Sequence, residues 1–445
     1  MPGDVFWAIM KGKDMLKKWK TIDFSKLILV YIAVNPIFDM MYTIWSDFSG
    51  MEDYGAFAPN QIFRILYIAV LVLNLKKLRD FITIFLIGSY LLFTVVVQSY
   101  LGYTLNLVTN INLIGKVIYF AATIIVISRL LELQKLSEEK LIKPLVISTV
   151  IISVSILISP LGLGYRGYEH VFSFKGLFGY ANFVSGCLLG ILPILLYVYK
   201  GKKRIFYVLL DYSALLLLGS KASVAGGTAV IVIMLCYLLK YESAVKFHAL
   251  IRLKKFWILF ACVSLCLITV MAVFLWNQIQ YFNSSNYSLI NFLTSHRNLQ
   301  TEYASEFIKK LETGKILTIL FGLGCSKVSH ILNSRIKSFY TIEQDYNGIL
   351  FYFGVLAFAI LCLFTARVMY VIWKLLKKNM QKYFPYALSF MVLLFQSILV
   401  GHVIYVPLAS IYFAIVIAFL LNDFKNETKG EKSLSGKLCD SDSDV

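Results

Sequence analysis

Two carboxylate side chains stand just before a long apolar segment and could take part in catalysis. Glu343 and Asp345 are separated by one residue, and the apolar segment begins at Tyr346. Negative side chains at the start of a helix can simply stabilise the positive end of the helix dipole. Alternatively, one of the two could act as a general base, because nearby cations and partial burial tune the pKa of a carboxyl group. The sequence leaves both interpretations open.

Five basic residues lie apart from the main clusters of lysine and arginine and could bind an anion. Arg64 and Lys116 stand at the ends of apolar segments. Arg166 and Lys221 lie in short loops between such segments, and Arg297 lies in a long polar stretch. Cations gathered at a membrane interface could bind a phosphate or pyrophosphate head group. Side chains that merely reach from an apolar segment to water would show the same pattern.

Two acidic residues lie inside apolar segments, where a charge is costly. Asp39 follows Asn35-Pro36 near one end of the first segment, and Asp211 lies well inside the seventh. An ionisable residue within a membrane segment is a functional candidate, because such residues commonly mark sites of binding or catalysis. For Asp211, a packed and hydrogen-bonded structural role is an equally good explanation.

The composition indicates which elements must position these residues. Of 445 residues, 59% are hydrophobic and 15% are charged, and the mean hydropathy is +0.73. Soluble domains are about 45–50% apolar and about 25% charged, so a soluble enzyme and a disordered chain are both excluded. Runs of about 20 apolar residues predict transmembrane helices. We predict twelve, at 24–45, 61–78, 80–98, 111–132, 143–162, 178–199, 204–219, 222–239, 256–276, 346–372, 384–400 and 403–421.

The distribution of charge predicts how these helices are oriented. The chain has 43 Lys and Arg against 25 Asp and Glu, which gives a formal net charge of +18. In a soluble protein this excess would suggest a nucleic-acid partner. Here most basic residues cluster in alternate loops and near both termini, and the positive-inside rule makes those parts cytoplasmic. No nucleic-acid partner is needed. The predicted organisation is a cytoplasmic basic segment (1–23), membrane helices 1–9 (24–276), a large extracytoplasmic loop (277–345), membrane helices 10–12 (346–421) and a cytoplasmic tail (422–445).

Some common sequence signals are missing. Residues 1–23 lack the apolar core and cleavage site of a secretory signal, so we expect the first span to be an uncleaved anchor. The seven cysteines show neither a disulfide framework nor the spacing of metal ligands. No glycine-rich phosphate-binding loop is visible either. We therefore predict no cofactor and no bound metal.

The long loop 277–345 has the pattern of a folded cap rather than of a linker. Apolar side chains recur every fourth residue from Leu299 to Leu311, which predicts an amphipathic helix. Ser295 can cap the start of this helix, and Gly314 is a natural stop. The aromatic residues of the loop could stack on sugar rings or act as interfacial anchors.

Short polar and glycine-containing segments recur in a characteristic order between residues 170 and 360. They are Gly176-Leu177-Phe178-Gly179-Tyr180-Ala181-Asn182, Gly219-Ser220-Lys221-Ala222-Ser223, Arg297 followed by Phe321-Gly322-Leu323-Gly324, and Glu343 and Asp345 through Phe353-Gly354. In order, spacing and topology they resemble the O-antigen ligase/polymerase family, the integral-membrane glycosyltransferases of bacterial surface polysaccharide assembly. In addition, Asn35-Pro36-Ile37-Phe38-Asp39 is similar to the first span of polymerases from Gram-positive capsule systems.

The chain departs from this family's pattern in three places. Lys221 stands where the family has an arginine. Glu343-Gln344 replaces the His-Asn of ligase members, which favours a polymerase and argues against a histidine-based mechanism. Arg166 and Gly176 are one residue too close for the Arg-x10-Gly pattern of one polymerase subgroup, so we do not assign that motif.

The resemblance implies an all-α, GT-C-like membrane protein with about 12 transmembrane helices and one long structured outer loop. It implies a donor glycan on polyprenyl pyrophosphate and an acceptor hydroxyl on the next lipid-linked repeat unit, at the outer face of the bacterial cytoplasmic membrane. A chain-length regulator and a flippase would be its protein partners. Glu343 would be the base, with Asp345 as its orienting partner or substitute. Arg297, Arg166 and Lys221 are the first candidates for holding the pyrophosphate, Lys116 and Arg64 are the second, and Asn182 joins Asp39 and Asp211 as polar residues within the membrane.

Two other functions stay open from the sequence. A ligase would move the finished glycan to a different acceptor. A flippase or another transporter of lipid-linked oligosaccharides would also use many spans and a cationic cavity. The single long outer loop and the lack of visible repeats between the two halves favour the enzyme, because many transporter folds are built from repeats.

Overall fold

The described part of the chain folds almost entirely into helices. The computed structural model describes residues 24–49, 59–75, 77–167, 173–241, 297–335 and 341–441. Two short strands, β1 (Tyr165–Arg166) and β2 (Phe174–Gly176), form an antiparallel hairpin. The helices are α1 (Ser25–Ser49), α2 (Pro59–Leu73), α3 (Leu78–Tyr100), α4 (Leu107–Glu132), α5 (Glu138–Leu157), α6 (Ala181–Val198), α7 (Gly201–Leu218), α8 (Lys221–Tyr241), α9 (Arg297–Lys309), α10 (Lys315–Phe321), α11 (Cys325–Arg335), α12 (Asp345–Lys378), α13 (Met380–Phe395) and α14 (Pro407–Ser441).

Nine helices in the described part of the chain are long and apolar enough to cross a membrane. They are α1, α3, α4, α5, α6, α8, α12, α13 and α14. A tenth span results if α10 and α11, which meet at an angle of 107°, are counted as one broken span. These helices fit an all-α membrane protein that crosses the bilayer many times, as the sequence predicts.

The predicted total of twelve spans is not confirmed. The predicted span 256–276 lies outside the described residues. The predicted span 61–78 is a helix of only 15 residues, because α2 ends at Leu73, before the basic residues that follow. The predicted span 204–219 does form α7, but this helix carries three basic residues in its first turn and Asp211 further along.

Three helix segments that the sequence predicts to be cytoplasmic, at the start of α3, the end of α4 and in the later part of α14, lie close together at one face of the bundle. Arg129, near the end of α4, forms an ion pair of 2.8 Å with Asp80 at the start of α3. Lys425 in α14 reaches Glu132, the last residue of α4, at 2.7 Å. Near the opposite end of α4, Asn110 Oδ1 accepts a hydrogen bond of 3.0 Å from the Ser326 N–H of α11, so α11 lies at that opposite face of the bundle.

The long helix α12 is broken near that opposite face. Gly354 has a left-handed φ of 82°, and the helical path is interrupted there. Two backbone carbonyls left open by the break accept hydrogen bonds from the segment that joins α10 to α11. The Leu323 N–H donates to Phe351 O at 2.7 Å, and the Gly324 N–H donates to Tyr352 O at 3.2 Å. The Phe321–Gly324 motif therefore pairs with the broken helix.

Gln98 fixes the same junction from α3. Its side-chain amide donates to Phe321 O at 2.9 Å and to Tyr352 O at 2.8 Å. Gln98 is almost completely buried, so these bonds are protected from competition with water. Together these contacts hold the first part of α12, which begins at Asp345, against α3 and against the segment that joins α10 to α11.

Candidate functional site

Two residues that the sequence marks as candidates, Arg297 and Glu343, form an ion pair. Arg297 Nε and Nη2 each lie 2.7 Å from Glu343 Oε2. Arg297 is the first residue of α9, and Glu343 lies in the short segment before α12. The Glu343 N–H also donates to Gln300 Oε1 at 2.9 Å, so the first turn of α9 holds this segment by backbone and side chain.

The loop after α13 presses against the backbone of Glu343. A π-helical turn, Gln396–Val400, leads to Gly401, which has a φ of +83°. A Cβ atom at position 401 would lie 1.6 Å from Glu343 O, so only glycine allows this approach. The close contact restricts the main chain at Glu343, whose N–H is already bonded to α9.

Asp345 is buried and anchors that same loop. Its Oδ2 accepts hydrogen bonds from Ser397 Oγ at 2.7 Å, from Val403 N–H at 2.9 Å and from Ile404 N–H at 3.1 Å. Asp345 is completely shielded from solvent. Its other oxygen, Oδ1, has no hydrogen-bond partner among the described residues, so both predicted roles, orienting partner and substitute base, stay open.

His402 is a site residue that the sequence reading missed. Its Nε2 lies 3.8 Å from Glu343 Oε2, and its ring lies nearly parallel to that of Tyr180, with centroids 6.3 Å apart. The residue adopts a left-handed φ of 62°, which is uncommon for residues other than glycine. The signal that could have revealed it is a histidine, one of five in the chain, directly after Gly401 and between two apolar segments.

The imidazole of His402 is held in its neutral form. Burial lowers the pKa of His402 below its ordinary value of 6.5. The Glu343 carboxylate opposes this effect, whereas the positive charges of Arg297 and Lys116 add to it. A neutral imidazole beside a carboxylate can accept a proton and pass it on.

A second ion pair joins two other predicted residues, Arg64 and Asp39. Arg64 Nη2 lies 2.8 Å from Asp39 Oδ1, and Asn60 Nδ2 donates to the same oxygen at 3.3 Å. Asp39 is therefore a partner of a cation rather than an isolated charge. Lys116 interacts electrostatically with both members of this pair. Within the described residues, the Lys116 ammonium makes no hydrogen bond or ion pair.

A cavity of about 180 Å³ lies beside these cations, between α2 and α4. Arg64 and Lys116 contribute to its wall, and the rest of the wall is mostly aliphatic. The aliphatic members are Ile65, Ile68, Val108 and Ile111. An apolar cavity with two cations can take a ligand that combines a hydrocarbon chain with an anionic group.

Lys221 lies at a tight turn between α7 and α8. Gly219 is left-handed with a φ of 62°, and the backbone N–H groups of Ser220 and Ser223 each donate to the other's hydroxyl at 3.1 Å. This pairing caps the start of α8, where Lys221 is the first residue. The charges of Lys221 and Arg297 interact, so the turn belongs to the same electrostatic cluster.

The remaining predicted residues lie outside this cluster. Arg166 is an exposed residue of β1, and none of the described contacts joins it to Arg297 or Glu343. Asn182 lies in the first turn of α6, where its carbonyl accepts a hydrogen bond of 3.0 Å from Gln396 Nε2.

Asp211 is completely buried, about 10 Å along α7 from the turn that holds Lys221. Neither Asp211 oxygen has a hydrogen-bond partner among the described residues.

The fold places the chain in the class of all-α membrane proteins with many spans and a polar, charged cluster at one end of the bundle. A comparison of the sequence with models of known protein families gives no match. A comparison with curated proteins likewise gives no significant match.

Proposed function

We propose that the protein is a polysaccharide polymerase of the bacterial cytoplasmic membrane. It would join polyprenyl-pyrophosphate-linked oligosaccharide repeat units at the outer face and release polyprenyl pyrophosphate. The observation that carries the proposal is the Arg297–Glu343 pair beside His402, with Lys116 and Lys221 acting on the same cluster. A carboxylate base next to several cations is the combination that glycosyl transfer from a pyrophosphate donor requires.

In this reaction the acceptor hydroxyl attacks the anomeric carbon of the donor glycan. The new bond joins the acceptor oxygen to that carbon, and the bond between the carbon and the pyrophosphate oxygen breaks. Glu343 takes the hydroxyl proton, so the acceptor oxygen gains nucleophilicity as the bond forms. The electron pair of the broken bond leaves with the lipid pyrophosphate. Arg297 and Lys221 stabilise the negative charge that develops there.

The Arg297–Glu343 pair fits a resting state that the donor opens. The pyrophosphate competes with the carboxylate for the guanidinium, because phosphate oxygens bind the arginine fork in two places at once. When Arg297 turns to the donor, Glu343 Oε2 becomes available to the acceptor. His402 then gives the proton a route away from Glu343.

The cavity between α2 and α4 supports a donor that is linked to a lipid. Its aliphatic wall suits part of an isoprenoid chain, and Lys116 and Arg64 in the same wall would bind the charged head group. Lys116 is the better candidate, because Arg64 is engaged with Asp39. The same cavity would also serve a flippase for lipid-linked oligosaccharides, so this feature alone does not distinguish the two functions.

Purified protein in proteoliposomes, supplied with lipid-linked repeat units, separates the candidate functions. A polymerase forms a ladder of glycans of increasing length and releases polyprenyl pyrophosphate in step with each new bond. A ligase forms product only when a different acceptor is added, and that product has no ladder. A flippase moves the lipid-linked unit across the bilayer without forming a glycosidic bond. The last two results would replace the proposal.

A further inference from the structure

A second cavity shares no residue with the cluster around Glu343. It lies between α9 and α11 and has a volume of about 220 Å³. Tyr303 and Phe307 contribute to its wall from α9, and Lys327 and Arg335 from α11. Tyr303 is six residues after Arg297 on the same helix, which places it about 9 Å further along the axis.

Two cations in this cavity rest on aromatic rings. Lys327 Nζ lies 5.0 Å from the centre of the Phe307 ring, and the Arg335 guanidinium carbon lies 5.8 Å from that of Tyr303. In the described part of the chain, neither side chain forms an ion pair with a carboxylate. A ring attracts a cation electrostatically but is not a conventional hydrogen-bond acceptor. The N–H groups of the cation can therefore still donate to other acceptors.

The one carboxylate of the cavity already has a partner. Glu306 Oε1 lies 2.6 Å from Nζ of Lys310, the residue that directly follows α9. The hydrogen bond from Lys310 lowers the pKa of Glu306, so this carboxyl stays ionised and paired. The charges of Glu306 and Lys310 offset one another, and Lys327 and Arg335 leave the cavity with a positive excess.

We propose that this cavity binds an acidic sugar unit of the glycan, a few units away from the bond that is formed. Two cations with unused N–H groups suit a carboxylate or a phosphate group on the sugar. The aromatic residues and Ile331 offer an apolar wall for the ring of the sugar. A free anion would contact only the two cations and not the apolar wall. The inference rests on the proposed function, because the bound glycan is the acceptor or product of that reaction.

A binding measurement on the full chain in phosphatidylcholine nanodiscs tests this site without catalysis. The probe is an oligogalacturonate of three units, and its neutral counterpart is a galactose oligomer of the same length. We expect the acidic probe to bind and the neutral one to bind at least about tenfold more weakly. The double variant Lys327→Ala/Arg335→Ala should weaken the acidic probe by a similar factor. The charge-conserving variant Lys327→Arg/Arg335→Lys should keep most of the binding.

The matched control is Lys309→Ala, which removes an exposed lysine of α9 outside the cavity and should leave binding unchanged. Equal binding of the acidic and neutral probes, no binding of either, or equal binding by wild type and double variant would overturn the site. Binding of inorganic phosphate as tightly as of the acidic probe would reduce it to a general anion site. Loss of probe binding when the nanodiscs contain phosphatidylglycerol would assign the site to a lipid head group instead. If wild type forms no glycan ladder while probe binding still depends on Lys327 and Arg335, the polymerase proposal fails and the binding site stands.

Discussion

Arg297 and Glu343 are 46 residues apart in sequence, yet two nitrogens of the guanidinium lie 2.7 Å from one carboxylate oxygen. Both side chains are largely buried, with 10% of Arg297 and 19% of Glu343 exposed. A buried pair loses much when one member is removed, because the other charge is left without a partner. The relationship therefore links catalysis and stability, and variants must be designed to separate the two.

Arg297 variants test whether the guanidinium serves the leaving group. We expect Arg297→Ala to slow glycan elongation by at least about 100-fold, which is the usual effect of losing a preorganised group that stabilises developing charge. Arg297→Lys keeps the charge but loses the fork, so its rate should be intermediate. The initial rate of ladder formation measures both. Lys309→Ala, at the other end of α9, is the control, and a wild-type rate in folded Arg297→Ala would exclude the role.

Gly401→Ala tests the close contact that fixes the Glu343 backbone. The added methyl group would overlap Glu343 O, and the left-handed φ disfavours any side chain. We expect a loss of about 1–3 kcal/mol in stability together with reduced elongation. Thermal unfolding in detergent measures the first effect. Gly88→Ala is the control, because its Cβ would make only an ordinary contact of 3.5 Å with Ile118. Unchanged stability and activity in Gly401→Ala would show that the loop does not press on Glu343 as described.

Asp345 variants test an orienting role against a catalytic one. Asp345→Ala leaves two buried backbone N–H groups and the Ser397 hydroxyl without their acceptor, and each unsatisfied group costs about 1–3 kcal/mol. Asp345→Asn keeps an oxygen acceptor and should be milder in stability and in elongation. Thermal unfolding and ladder formation are measured on both variants. A stable Asp345→Asn protein with no elongation at all would instead make Asp345 the base.

The pH dependence of elongation tests the proton route through His402. Because the pKa of His402 is lowered, the imidazole is neutral at pH 7 and becomes charged only as the pH falls below its ordinary value of 6.5. A charged imidazole would pair with Glu343 and stop accepting protons, so elongation should fall on the acid side. His402→Gln should elongate more slowly at pH 7 and lose this acid limb down to about pH 5.5. An identical acid limb in His402→Gln would contradict the assignment.

The same lowered pKa makes a prediction about stability. The unfolded chain takes up a proton on His402 at a higher pH than the folded chain does, so the folded state loses stability as the pH falls below about 6.5. The stability that the folded state gains from keeping His402 neutral is fully present above about pH 6.5. His402→Gln should therefore reduce the acid-induced loss of stability relative to wild type.

Lys116→Ala tests whether the cavity between α2 and α4 receives the lipid-linked donor. Lys116 has no described partner to leave unpaired, so the substitution should not disturb the fold. We expect KM for the donor to rise about tenfold with little change in kcat, which is the pattern of a lost binding contact. Lys175→Ala is the control, since that lysine donates to Gly179 O and does not line the cavity. A fall in kcat with an unchanged KM would place Lys116 at the chemistry instead.

Much of the helical architecture follows from the sequence, because long apolar runs have few other structures open to them. The exceptions have local causes: α2 stops short of a basic segment, and α7 carries charges that a span excludes. Arg297 and Glu343 could be selected from residue type and position. Their meeting, the contact of Gly401 with Glu343 and the hydrogen bonds to Asp345 could not, because they join segments that are distant in sequence. The pairing of the Phe321–Gly324 motif with the break in α12 also joins segments that are distant in sequence. The sequence alone therefore showed only the motif's resemblance to a functional signature.

The most direct test of the central claim is a single-turnover measurement of polyprenyl pyrophosphate release from lipid-linked repeat units by Glu343→Gln protein. Glu302→Gln, which changes an exposed carboxylate on α9, is the matched control. We predict that wild type and Glu302→Gln release polyprenyl pyrophosphate and form the glycan ladder, while Glu343→Gln still binds the donor but does neither. Release and elongation at the wild-type rate by Glu343→Gln would contradict the account, because the reaction would then proceed without the proposed base.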